Sequence, residues 1–95
     1  MTIPEVSTAL RQSLERHRFS LRPQPEGRPG EETVHVVLDH GEGMFHVGRV
    51  ELYLGLWTAF AVVRGNGLFR SDEVGRHEPF EDAVLAVLMS FTHVE

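Results

Sequence analysis

Thr33-Val34-His35-Val36-Val37-Leu38-Asp39 and Leu56-Trp57-Thr58-Ala59-Phe60-Ala61-Val62-Val63-Arg64 are the two stretches that decide the fold. In the first, Val34, Val36 and Leu38 alternate with Thr33, His35 and Asp39, the period of a strand with one buried face. The second is apolar on both sides. Leu56, Phe60 and Val62 point one way; Trp57, Ala59, Ala61 and Val63 point the other, and such a strand needs both faces covered. Between them, Phe45 and Val47 stand at odd positions, whereas Val50, Leu52 and Leu54 stand at even ones. That change of phase predicts a β-bulge at Gly48-Arg49. Gly41-Glu42-Gly43 and Gly55 separate these strands. Gly65-Asn66-Gly67 predicts a type I′ hairpin turn, because Asn-Gly supplies positive φ at low cost. A more polar strand over 68–74 completes the run at a sheet edge.

Outward from the strands lie two helical patterns. Ile3, Val6, Leu10, Leu14 and His17 recur at three- and four-residue intervals, which predicts a one-sided surface helix over 3–18. Thr2 and Glu5 form its capping box, with Pro4 in the first turn. Phe19 and Leu21 then alternate with Ser20 and Arg22 as a short extended segment. Residues 22–32 hold three prolines, two glycines and no aliphatic side chain, and predict an exposed, mobile loop. A final helix over 79–92 begins at Pro79, with Glu81 and Asp82 at its positive end. It is apolar nearly all round, with Phe80, Val84, Val87, Leu88 and Phe91 on one side and Leu85, Ala86 and Met89 on much of the rest. The expected architecture is one α+β domain over 1–95: N-terminal helix, four-stranded antiparallel meander, C-terminal helix, in two layers.

Composition removes whole classes of chemistry. The chain has no cysteine and no lysine, so thiolate nucleophiles, disulfides, Schiff bases and a P-loop lysine are excluded. Nine arginines against fourteen acids give a formal charge of −5. Residues 1–30 carry a small positive excess and the rest is strongly acidic, which argues against nucleic acid as a partner. The helix–strand–helix order invites comparison with the double-stranded RNA-binding domain. That module needs basic residues on its last helix; here it opens Glu78-Pro79-Phe80-Glu81-Asp82 and carries no Arg. Six histidines would take the charge from −5 to +1 on protonation, so solubility and association are expected to respond to pH near ~6.5. The longest apolar run, 83–89, is far short of a bilayer span. With neither a leader pattern nor a membrane segment, the cytosol is the expected compartment.

If both helices share one face of the sheet, the other face carries Trp57 and Tyr53 and stays open. The expected interface is then Tyr53, Trp57, Ala59, Ala61 and Val63, closed most simply by a two-fold homodimer. The same residues could form a groove for a ligand, with Trp57 as anchor. Asp39 and His46 are the candidate polar pair, since a register pairing His40 with Phe45 sets them face to face. His35 then lies four residues along, roughly 13 Å at strand rise, too far to share a metal. Ser71 and Asp72 near His77 lack a nucleophile elbow. No catalytic residue, metal or cofactor is expected. The sequence thus predicts a small cytosolic non-catalytic interaction module, homodimeric, with a basic protein as a fitting partner. The alternatives are a small-molecule binder or hydrolase using the Asp39–His46 pair, and an acidic inhibitor protein.

Overall fold

A computed structural model of the chain describes residues 3–25, 31–39, 41–65 and 68–93. The elements in order are helix α1 (Thr8–Arg16), strands β1 (Phe19–Pro23), β2 (Thr33–Asp39), β3 (Met44–Tyr53), β4 (Leu56–Gly65) and β5 (Leu68–His77), and helix α2 (Phe80–His93). The strands form one antiparallel meander in sequence order. The expected α+β, two-layer architecture is present, but the sheet has five strands rather than four. The extra strand is the short extended segment after α1. Phe19 pairs with Leu38 and Pro23 with Val34, so β1 also takes up the first two residues of the expected loop 22–32.

A bulge sets the faces of the sheet. Val36 pairs with Gly48, but Val37 pairs with His46, so Val47 is the extra residue on β3. Val47 and Gly48 therefore both turn towards the helices, one residue earlier than Gly48-Arg49 predicted, and the apolar phase passes from odd to even positions. Gly48 is required there. A Cβ on it would lie 2.6 Å from the Val87 side chain of α2 and closer still to the Phe60 carbonyl. A second bulge on β5, where Ala59 pairs with Gly75 and Phe60 with Glu73, carries that strand on to His77.

Both helices lie on one face of the sheet, α1 over β1 and α2 over β3, β4 and β5. The core between the layers holds Leu10 and Leu14 from α1, and Phe80, Ala83, Val84 and Val87 from α2. From the sheet come Val34, Val36, Val47, Val50, Trp57 and Ala59. Val34, Val36, Val47, Val50, Val84 and Val87 are the largest fully buried side chains, each stabilising the fold by about 1.5–3 kcal/mol. Trp57 packs edge-on against Phe80, with ring centroids 4.8 Å apart.

Helix α1 starts later than predicted. Ser7 is the N-cap, its hydroxyl accepting from the Leu10 amide, while Thr2 lies outside the described residues. Ser7 also donates its amide and its hydroxyl to the Glu81 carboxylate of α2. The predicted turn residues Asn66 and Gly67 fall outside the description, but the hairpin they would close is present, with Gly65 paired to Leu68.

Candidate functional site

The predicted interface is dispersed by the fold. Trp57 is 6% exposed, and Ala59 and Ala61 are buried with it beneath α2; Val63 is half-buried. Tyr53 is exposed, yet its register partner is Leu56, on the opposite face. The correction has a physical reason. Both faces of β4 are apolar, and the small side chains of Ala59 and Ala61 let a helix approach where Phe60 would hold it off. The open face instead carries Thr58, Phe60 and Val62, and Phe60 is covered by the Arg49 guanidinium, 4.2 Å above its ring.

Two surfaces among the described residues are candidates for a site. The first is a groove of about 410 Å³ between the helices, lined by Ser13 and His17 of α1, Phe19, Leu38, and Leu85, Leu88, Met89 and Phe91 of α2. The helices run side by side in the same direction, since Ser7 at the start of α1 bonds Glu81 at the start of α2. At the far end, Phe19 meets Phe91 edge-on, with centroids 5.8 Å apart. Leu85 and Met89, a helical i,i+4 pair, form an exposed apolar ridge beside the groove.

The second surface is the open sheet face around His35 and His46. Asp39 does not face His46, as the sequence led us to expect. It pairs with Met44, and its carboxylate accepts from the Gly41 amide, closing a four-residue loop two residues out of the expected register. His46 pairs with Val37 instead, which brings it beside His35. His35 Nδ1 lies 3.0 Å from His46 Nε2, and His35 Nε2 lies 3.0 Å from the Gln24 side-chain oxygen. Burial first, then the charges of His35 and Arg49, hold His46 below the ordinary histidine value of 6.5. Sequence spacing missed this pair because its reach depends on the bulge and the loop register. Among the described residues, no three His, Cys, Asp or Glu side chains converge as a metal cluster.

Charged groups on the strands are largely matched locally. Arg49 pairs with Glu51, Arg70 with Asp72, and Arg76 with Glu73. Among the described residues, no helix is long and apolar enough to cross a membrane. Comparison with protein-family models, curated proteins and solved structures finds no match to this chain.

Proposed function

We propose that the chain is a non-catalytic interaction module that works as a two-fold homodimer through its helical face, and not through the sheet face around Trp57. The observation that carries this reading is the exposed Leu85–Met89 ridge of α2, beside a groove between two helices that run in the same direction. At the start of both helices the rim is acidic, with Glu5, Glu81 and Asp82. At the end of α1 it is basic, with the exposed Arg16 beside His17. Asp82 stands one turn before Leu85 on the α2 ridge, and Arg16 stands one turn after Ser13 on the groove wall. A two-fold axis across parallel helices reverses the partner. That axis keeps each helix opposite its own counterpart, so the exposed Leu85–Met89 ridge of each α2 meets the ridge of the other. An apolar ridge that meets its own copy suits a two-fold interface, in which one patch serves both subunits.

Substitution on the ridge tests it. Leu85→Glu or Met89→Glu alone should weaken self-association roughly tenfold or more, since each sets a charge against its own counterpart across the axis. Two such substitutions without effect would remove the interface. A hydrolase reading has less support, because Asp39 is committed to its own loop and does not orient His46. An acidic inhibitor needs its carboxylates free on one face, whereas Glu51, Asp72 and Glu73 are each held by an arginine.

A further inference from the structure

His35 and His46 come from adjacent strands of the open face, and the bulge at Val47–Gly48 aligns them. Their rings are tilted by 56° with centroids 5.1 Å apart, and the facing nitrogens are 3.0 Å apart. Two imidazole nitrogens bound ~2.0–2.1 Å from one metal lie about 2.9 Å apart at a right angle and about 3.4 Å apart at the tetrahedral angle. The observed spacing is that of two neighbouring positions in a square or octahedral sphere. The Gln24 carboxamide oxygen accepts from His35 Nε2–H, which leaves Nδ1 with its lone pair directed at His46. A carbonyl on the far nitrogen is the usual orienting partner of a ligating histidine.

We propose that His35 Nδ1 and His46 Nε2 form a two-imidazole chelate for a divalent transition-metal cation, with Cu²⁺ and Ni²⁺ preferred to Zn²⁺. The metal takes the place of the hydrogen bond between the two nitrogens but sits off the line that joins them, so each ring turns by about 45° to aim its lone pair at it. His46 changes tautomer, moving its proton from Nε2 to Nδ1, so the neutral pair binds without net proton release, and water completes the coordination sphere. Arg49 and Arg22 flank His35 across the ladder on β3 and β1 and oppose a cation; Glu51 offsets the first. The site does not depend on the helical dimer, because it lies on the other face of the sheet.

Isothermal titration of the full chain with NiCl2, and separately with ZnCl2, is the test. One Ni²⁺ should bind per chain, more tightly than Zn²⁺. Either His35→Ala or His46→Ala should weaken Ni²⁺ binding by roughly tenfold or more, and Gln24→Leu should weaken it by about the same factor while both imidazoles remain. Gln24→Glu should recover it, and Arg49→Gln should tighten it several-fold. Circular dichroism of each variant checks that the sheet has formed. No measurable Ni²⁺ binding by the wild-type chain would overturn the proposal, as would binding that survives both histidine substitutions through His17, His77 or His93.

Discussion

Gly48 shows how one side-chain-free position couples two layers. The bulge points it at α2, where Val87 leaves no room for a methyl group. Gly48→Ala should therefore cost about 1–3 kcal/mol, as overpacking of a filled core does, and a thermal melt would show it; an unchanged midpoint would contradict the close approach of both Val87 and the Phe60 carbonyl. Leu54 carries the opposite lesson. It is 83% exposed and holds φ at 51°, next to Gly55 at 80°, so the β3–β4 turn has two positive φ angles and a branched residue in the first. A left-handed conformation costs a residue with a Cβ about 1–2 kcal/mol, and asparagine tolerates it better. Leu54→Asn should raise the melting temperature, and a lower one would contradict the strain. Neither effect was legible from residue type alone. Gly48 read correctly as part of a phase change, but Val87 lies 39 positions away in the chain.

At the scale of elements, period-two alternation was enough to place β2, β3 and β4, because each has a buried face of Val, Ala or Leu. It was not enough for β1, which is short, half polar and defined only by pairing with β2. Nor did it fix the start of α1. Thr2 and Ser7 both fit as caps, and the bond that anchors Ser7 comes from Glu81, in the other helix. The register of the β2–β3 hairpin was likewise hidden, since it depends on a loop closed by Asp39, and with it went the pairing of His46. This pair has a consequence for stability in metal-free buffer. A histidine whose folded pKa is depressed favours the neutral form in the folded state, so the unfolded chain takes up more protons. Its contribution is whole above ~6.5 and declines as pH falls from there through the lowered folded value. Arg49, beside the pair on β3, acts in the same direction. With EDTA present, denaturant midpoints should fall over that window, and His46→Gln should flatten the fall. An equal slope in the variant would place the titration elsewhere.

The whole molecule is a sheet with two helices on one side, an arrangement that the sequence left open, as it did the choice of side. Both faces of β4 are apolar, so the choice rested on long-range packing: small alanines accept α2, while Phe60 is left outside under Arg49. The apolar excess that pointed to an interface around Trp57 therefore disappears into the core. Among the described residues, Met44, Tyr53, Leu54 and Leu56 stay exposed on the strands and their turn, and on the helical face the ridge of Leu85 and Met89 stands beside a groove, with acid at one end and base at the other. Light scattering on a sizing column at pH 8, with the wild-type chain beside Leu85→Glu, measures the consequence directly. The account predicts a mass twice the 10.7 kDa of one chain for the wild type and a folded monomer for the variant. A wild-type monomer, or a dimer that Leu85→Glu leaves intact, would contradict it.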